Sequence, residues 1–238
     1  MGVNRFVSEQ QIFDARFPIQ DVYDLVLEGF ILHSLGDYEM PPKQGVHTRS
    51  RSFMHAMPAY LPTEDLAGTK LISVYPGNSE RGLDPTTGII VMMDPDTGIV
   101  TDTLDAKWAT NTRTAMVSMV DTRFLAKAKP VFGIIGATGN CCRAHIEAIA
   151  TIFPGSTVIV NSRSQKRCED LVREFEDFPC ELIIGMNQEA VVKECEVLIV
   201  CTSYLPQPIF KAEWLGAGQN VLNIHARGWP ANITSFVD

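Results

Sequence analysis

The sequence lacks the patterns that mark membrane, secreted and nucleic-acid-binding proteins. No apolar run reaches the roughly 18 residues that a helix needs to cross a bilayer, and the first residues contain no signal-peptide hydrophobic region. Basic residues are also fewer than acidic ones, and the formal net charge is −8 at pH 7. This balance argues against nucleic acid or an anionic membrane as a partner. We therefore expect a cytoplasmic protein.

Paired ligand motifs for metals are missing as well. The six cysteines form no Cys-x-x-Cys pair, and the five histidines show no His-x-x-x-His spacing. Most of the cysteines lie within or beside apolar runs, which favours reduced core thiols over disulfides. On these criteria we predict no metal site.

The pattern of secondary structure changes in the middle of the chain. Before Lys129, a helix is predicted over residues 19–36 and closed by Gly36, and a long helix over Asp105–Ala128. The strands predicted between them are Phe53–Tyr60, Lys70–Tyr75 and Gly88–Met93. After Pro130, short β-branched strands alternate with helices, which is typical of a parallel, doubly wound sheet. We predict two domains, residues 1–129 and residues 130–238.

The most informative segment reads Val131-Phe-Gly-Ile-Ile-Gly-Ala-Thr-Gly-Asn140. An apolar strand breaks into glycines and then into a helical pattern. Glycines let the backbone approach the pyrophosphate of a dinucleotide, and the helix N-terminus offers free N–H groups to its charge. The predicted cofactor-binding residues of this turn are Gly136, Thr138, Gly139 and Asn140.

Two further strand ends contribute candidate cofactor contacts. The second strand is followed by Asn161, Ser162 and Arg163, without the acid that binds the 2′-hydroxyl of NAD. A guanidinium matches the charge and forked geometry of a phosphate, so we favour NADP over NAD. Arg163 could alternatively be a solvated residue of the next helix. Thr202 and Ser203, after the fourth strand, are candidates to line the nicotinamide ribose, although ordinary turn hydroxyls are an equal alternative.

With the glycine turn in place, the N-terminal half shows an ordered series of motifs. They are Met57-Pro-Ala-Tyr-Leu-Pro62, Lys70-Leu-Ile-Ser-Val-Tyr-Pro-Gly-Asn78, Arg81-Gly-Leu83, Asp94-Pro-Asp-Thr-Gly98 and Asn111-Thr-Arg-Thr-Ala115. This series resembles the ornithine cyclodeaminase/mu-crystallin family, from about Val7 to the C-terminus. The resemblance implies an α/β protein, with a Rossmann-type doubly wound parallel sheet plus a discontinuous α+β substrate-binding and dimerisation domain. It also implies a nicotinamide cofactor, a homodimer and a small amino or imino acid substrate.

The resemblance assigns roles to cationic residues. Lys70 and Arg113 resemble the family's ligands of the substrate α-carboxylate, and Lys70 could also pass a proton to or from the substrate nitrogen. Lys43 best resembles a further basic ligand of the family, and Arg49 is the alternative. Thr114 is expected to contact the cofactor. Without the family, Lys70 would be interpreted as a surface residue at a strand start. Arg113 would be interpreted as a structural ion-pair partner.

Three features depart from the family pattern. The glycine loop is one residue longer than usual, with Asn140 in place of a nearby glutamine. The cyclodeaminases' aspartate corresponds to Gly228 in the segment His225–Pro230, which makes ammonia-losing ring closure less favoured than reduction or oxidation. Family members commonly continue beyond the point where this chain ends, so we expect the first domain to lack its usual C-terminal return.

The leading hypothesis is therefore an NAD(P)-dependent oxidoreductase, a ketimine reductase or amino-acid dehydrogenase. It would interconvert a small amino acid and its imino or keto form. The first alternative is an ornithine cyclodeaminase-type ammonia lyase that recycles NAD internally. The second is a non-catalytic NADPH-binding protein.

Overall fold

A computed structural model describes residues 5–136, 138–202, 207–224 and 230 of the chain. The chain forms two compact units, residues 1–110 and 111–238. Among the described helices, none combines the length and the apolar character needed to cross a bilayer.

The first unit contains a six-stranded sheet with the order β1-β6-β5-β4-β3-β2. Its strands are β1 Arg5–Val7, β2 Gln44–Arg49, β3 Ser52–Leu61, β4 Leu66–Val74, β5 Thr86–Met93 and β6 Val100–Asp105. Its helices are α1 Glu9–Asp14, α2 Ile19–Leu35 and the 3-10 helix Pro76–Arg81. Neighbouring strands are antiparallel, except that β1 is parallel to β6.

The predicted helix over residues 19–36 is confirmed as α2. Gly36 ends it in the left-handed conformation, with φ 75°, and its N–H donates to the carbonyls of His33 and Leu32. Glycine adopts this conformation without the steric cost that a β-carbon brings. The long helix predicted from Asp105 begins at Lys107 as α3, Lys107–Leu125, because Asp105 ends β6 and its side chain accepts from the Lys107 N–H at 2.8 Å.

The second unit contains a five-stranded parallel sheet with the order β11-β10-β7-β8-β9. Its strands are β7 Phe132–Ile135, β8 Thr157–Asn161, β9 Glu181–Ile184, β10 Val197–Val200 and β11 Asn220–Asn223. The intervening helices are α4 Asn140–Ile152, α5 Gln165–Glu174, α6 Gln188–Glu194 and the 3-10 helix Ala212–Trp214. β7 and β10 are buried throughout, as expected for parallel strands covered on both faces. The predicted α/β class with a parallel sheet is confirmed.

The predicted domain boundary at residues 129/130 lies just beyond the end of α3, whereas the two units divide near the start of this helix. Most of α3 belongs to the second unit, because the helix buries Met116 and Met119 completely. Its Ser118 hydroxyl also lies 3.0 Å from Nε2 of the buried His145 in α4. The helix is thus part of the core of the parallel-sheet unit.

Candidate functional site

The turn between β7 and α4 requires glycine at Gly136. Its φ is 101°, and a β-carbon at this position would lie 2.1 Å from Cγ2 of Thr202. Its N–H donates to the carbonyl of Asn161 at 3.0 Å. β7 and β10 are adjacent in the sheet although they are not consecutive in the chain. Gly136 and Thr202 therefore lie at the switch point where open α/β sheets bind ligands.

The N-terminus of α4 is open to an anion. Gly139 is the N-cap in extended conformation and makes no side-chain capping bond among the described residues. A β-carbon on Gly139 would meet no atom within 4 Å. Asn140, the first residue of the helix, is exposed. Backbone N–H groups and the positive end of the helix dipole face this space, which is the arrangement that binds phosphate.

Arg143 is a contributor to the turn that sequence reasoning missed. Its guanidinium donates to the carbonyl of Thr138 and pairs with Glu174 of α5 at 2.7 Å. The hydrogen bond and charge of Glu174 raise the pKa of Arg143. Arg143 thus ties the glycine turn to α5. Its partner is 31 positions away in the sequence, so local spacing gave no signal.

Thr202 carries an unsatisfied polar atom. The residue is 2% exposed, and its Oγ1 has no hydrogen-bond partner among the described residues. A buried hydroxyl without a partner costs free energy, so such an atom indicates a ligand-binding or other functional role. Its neighbour Ser203, and Ala137 of the glycine turn, lie outside the described residues.

The three residues after β8 differ in what they offer to a ligand. The amide of Asn161 donates to the Gly185 carbonyl at 3.0 Å, and the Ser162 hydroxyl donates to the Ser164 carbonyl at 3.2 Å. Arg163 is exposed and has no hydrogen bond or ion pair with a described residue. Ser164, not Arg163, caps α5, so Arg163 lies before the helix. Among these three residues, only Arg163 is exposed.

In the first unit, Lys70 lies in the middle of the sheet. It belongs to β4, pairs with Met57 of β3 and Ile90 of β5, and is partly buried. The alternative interpretation of Lys70, a surface residue at the start of a strand, does not match this position, because β4 begins at Leu66.

The strand register separates the two candidates for the extra basic residue. Gln44, the first residue of β2, pairs with Ala56. Lys43 precedes the strand, and extending the register by one residue would bring it to the level of Met57 and Lys70. Arg49 pairs with Ser52 at the other end of β2, and its Nη1 donates to the Thr48 carbonyl at 2.6 Å.

The pKa of His55 is affected by the charge of Lys43. Burial lowers the pKa of His55, and the neighbouring charges of Lys43 and His47 lower it further. His55 pairs with Ile72 and lies two residues from Met57 on the same face of β3. Lys43 thus acts electrostatically on the sheet face to which Lys70 belongs.

Arg113 lies in the part of α3 that belongs to the second unit. Desolvation lowers the pKa of its guanidinium and the charge of Cys141 raises it, and by its accessible surface the residue is exposed. Arginine keeps its charge in proteins. Among the described residues no carboxylate pairs with Arg113, so the structural ion pair that its sequence context suggests is not found there. Thr114, the next residue, is partly buried, and its carbonyl lies 3.4 Å from the Ser118 hydroxyl.

Comparison with known proteins gives consistent matches over most of the chain. The ornithine cyclodeaminase/mu-crystallin family model matches residues 4–230. The chain is 30% identical over 235 residues to the nodulation efficiency protein NfeD of Rhizobium meliloti, covering 97% of this chain and 72% of that protein. It is 29% identical to the alanine dehydrogenase of Archaeoglobus fulgidus, covering 93% of this chain and 67% of that protein. The ketimine reductase mu-crystallin of Rattus norvegicus is 27% identical over 73% of this chain, which spans 54% of the length of that relative.

Solved structures show the same fold. The Thermococcus litoralis Delta(1)-pyrroline-2-carboxylate reductase in complex with NADH and L-proline superposes with a TM-score of 0.85 at 22% identity, covering 92% of this chain and 68% of that one. An archaeal alanine dehydrogenase dimer with bound NAD gives a TM-score of 0.80 at 26% identity, covering 92% and 66%. The first likeness, at this identity, concerns the fold alone.

Proposed function

The chain belongs to the ornithine cyclodeaminase/mu-crystallin family, and we propose that it is an NAD(P)-dependent oxidoreductase that interconverts a small amino acid and its imino or keto form. Relatives of this family are named as a ketimine reductase, pyrroline-carboxylate reductases and an alanine dehydrogenase. The observation that carries the proposal is the switch point beyond the carboxyl ends of β7 and β10, the crevice position of open α/β sheets, where Gly136 is forced to be glycine and the Thr202 hydroxyl has no partner among the described residues.

This crevice fits a nicotinamide dinucleotide. The backbone from Gly136 to Asn140 would surround the pyrophosphate, with Gly139 leaving the N-terminus of α4 accessible. The Thr202 hydroxyl would form a hydrogen bond with the nicotinamide end of the cofactor. Arg163, which has no described partner, would bind a 2′-phosphate, so we propose a preference for NADP(H). When bound, this cofactor supplies or accepts the hydride.

Arg113 is proposed to bind the substrate carboxylate. Arg113 is exposed, so its guanidinium is accessible to an anion, and a carboxylate can accept two parallel N–H bonds from it. The absence of a carboxylate partner among the described residues leaves this role open to a ligand.

Lys70 is proposed as a second carboxylate ligand and as the group that moves a proton at the substrate nitrogen. Reduction of an imine adds a hydride at carbon and a proton at nitrogen, and an ammonium group can donate that proton. We assign the extra basic role to Lys43 rather than Arg49, because extending the strand register by one residue would bring Lys43 to the level of Lys70. The chain is proposed to act as a homodimer, and the archaeal alanine dehydrogenase named above is a dimer.

The test is an assay of the purified chain with NADPH or NADH and cyclic imines such as pyrroline- and piperideine-carboxylate. We expect net consumption of reduced cofactor, with NADPH preferred. Release of ammonia from ornithine without net cofactor change would instead identify a cyclodeaminase. Tight NADPH binding, seen by fluorescence, without turnover across a panel of imino acids would identify a binding protein.

A further inference from the structure

Three potential metal ligands converge in the second unit beside the glycine turn. Cys141 lies in the first turn of α4, His145 lies one turn later, and Cys201 directly follows β10. The two sulfurs are 3.9 Å apart, and Nδ1 of His145 lies 3.7 Å from Cys141 Sγ and 3.9 Å from Cys201 Sγ. His145 and Cys201 are buried, and Cys141 is partly buried. The cluster has no part in the proposed hydride transfer.

The triangle has the dimensions of a coordination site. With Zn–S bonds of about 2.3 Å and Zn–N bonds of about 2.0–2.1 Å, a tetrahedral centre separates two sulfurs by about 3.8 Å and sulfur from nitrogen by about 3.6 Å. A trigonal centre with the same bonds gives about 4.0 Å and 3.8 Å. The sulfur–sulfur separation of 3.9 Å and the Cys141 Sγ–Nδ1 separation of 3.7 Å lie within these limits, and the Cys201 Sγ–Nδ1 separation of 3.9 Å exceeds the trigonal value by about 0.1 Å. A disulfide would need the sulfurs to approach to about 2.05 Å.

We propose that Cys141, His145 and Cys201 bind a thiolate-preferring metal ion, Zn²⁺ or Cu⁺. Thiolate and imidazole donors together select these soft ions over Mg²⁺ or Ca²⁺. Three protein ligands complete a trigonal Cu⁺ site, and they leave one position of a tetrahedral Zn²⁺ site for an external ligand.

The imidazole of His145 is oriented by a second group. Its Nε2 lies 3.0 Å from the Ser118 hydroxyl oxygen, which in turn lies 3.4 Å from the Thr114 carbonyl. Without metal, Nδ1 donates to the Cys141 carbonyl at 2.7 Å. Metal binding would break this hydrogen bond, turn Nδ1 towards the ion and move its proton to Nε2, which would then donate to Ser118, as metal-bound histidines commonly do with a neighbouring acceptor. The two thiols lose their protons to solvent and bind as thiolates.

Two sources of positive charge lie near Cys141. It lies at the N-terminus of α4, where the helix dipole stabilises negative charge, and Arg113 lies close enough for the two charges to interact. Cys142, the adjacent thiol, is buried and belongs to no such cluster among the described residues. It is therefore a matched control.

The prediction of no metal site considered only pairs of like residues. Cys141 and His145 form a mixed pair four positions apart, which places both on one face of α4. The third ligand is 56 positions from His145, so no local motif includes it. A bound ion would link the start of α4 to the end of β10, the two elements that flank Gly136 and Thr202.

The experiment uses the full chain, reduced and stripped of metal with a chelator, and titrated with Co²⁺ as the spectroscopic substitute for Zn²⁺. We expect a single equivalent to bind with an intense thiolate-to-cobalt charge-transfer band that Zn²⁺ abolishes. A parallel anaerobic titration with Cu⁺ against bicinchoninate tests the other ion. Cys141→Ala and Cys201→Ala should each lose stoichiometric binding, whereas Cys142→Ala should keep it. Circular dichroism and thermal unfolding establish that each variant is folded, and Ser118→Ala should weaken affinity without changing stoichiometry.

Three results would overturn the proposal. The first is a wild-type chain that binds neither Co²⁺, Zn²⁺ nor Cu⁺ stoichiometrically. The second is binding that persists unchanged in both Cys141→Ala and Cys201→Ala, since the ion would then have other ligands. The third is formation of a Cys141–Cys201 disulfide with peroxide in a chain that binds no ion, which would identify the pair as redox-active instead.

Discussion

Gly136 and Thr202 approach each other so closely that no side chain larger than hydrogen fits at residue 136. A β-carbon there would lie 2.1 Å from Thr202 Cγ2, and the φ of 101° disfavours any residue with a β-carbon. Gly136 directly follows β7 and Thr202 lies two residues after β10, at the switch point of the parallel sheet. The geometry of the proposed cofactor crevice thus depends on this pair.

The substitution Gly136→Ala should therefore damage both stability and cofactor binding. We expect the free energy of unfolding, measured by chemical denaturation, to fall by about 1–3 kcal/mol. NADPH affinity, measured by fluorescence, should fall with it. Gly139→Ala is the matched control, because its φ is −89° and a β-carbon meets nothing within 4 Å. Its free energy of unfolding should change by no more than about 0.5 kcal/mol. Equal losses in both variants would show that the close approach at Gly136 has no special cost.

Thr202→Val should have opposite effects on the free protein and on the complex. Valine keeps the shape of threonine and removes a buried hydroxyl that has no described partner, so the free energy of unfolding should rise, by up to about 1–3 kcal/mol. NADPH affinity should fall, because the hydroxyl's proposed partner is the cofactor. The control is Thr122→Val, since the buried Thr122 hydroxyl already donates to the Ser118 carbonyl at 2.8 Å. That variant should lose stability and leave cofactor affinity unchanged.

The parallel-sheet unit could be predicted from the sequence because its signals are local. Strands such as Val197–Val200 are continuous apolar runs, and the glycines that follow β7 interrupt the pattern abruptly. β2 was missed for the opposite reason. All six of its residues are exposed and mostly polar, and its turn contains Arg51 with φ 64°, so neither alternation nor glycine marks the hairpin.

The candidate site could be predicted only where a residue type suited to the cofactor follows a recognisable strand, as Gly136 and Thr202 do. Arg143 and the cluster around His145 depend on contacts between distant segments, and no spacing rule encodes them. The division of the chain near the start of α3 has the same origin. It follows from the packing of Met116 and Met119 in the second unit, which the amphipathic pattern alone does not assign to one domain or the other.

Arg163→Gln should separate the two nicotinamide cofactors. If the guanidinium binds the 2′-phosphate, its loss should weaken NADPH binding by about tenfold, or about 1.4 kcal/mol, and leave NADH binding nearly unchanged. Dissociation constants for both cofactors provide the measurement. Arg167→Gln, on the exposed surface of α5, controls for the change in net charge. A parallel loss for NADPH and NADH would assign Arg163 to general electrostatic attraction.

Arg113→Lys should weaken substrate binding while leaving the fold intact. Lysine keeps the charge but loses the planar fork, so the KM for an imino acid should rise by about tenfold or more. Thermal unfolding should be nearly unchanged, because no described carboxylate depends on Arg113 for its pairing. Arg173→Lys, in an exposed pair with Asp170, should change neither quantity. A large fall in melting temperature for Arg113→Lys would instead indicate a structural role.

Lys43→Ala and Arg49→Ala form a matched pair that tests the strand register. Continuing the pairing of Gln44 with Ala56 brings Lys43 to the level of Lys70, whereas Arg49 pairs with Ser52, about 16 Å further along the sheet at 3.3 Å per residue. Both side chains are exposed, so neither loss should change the free energy of unfolding by more than about 0.5 kcal/mol. The KM for the imino acid should rise several-fold in Lys43→Ala and stay unchanged in Arg49→Ala. The reverse ranking would mean that the hairpin end, and not the start of β2, supplies the third cation, because a carboxylate interacts strongly only with charges in its immediate vicinity.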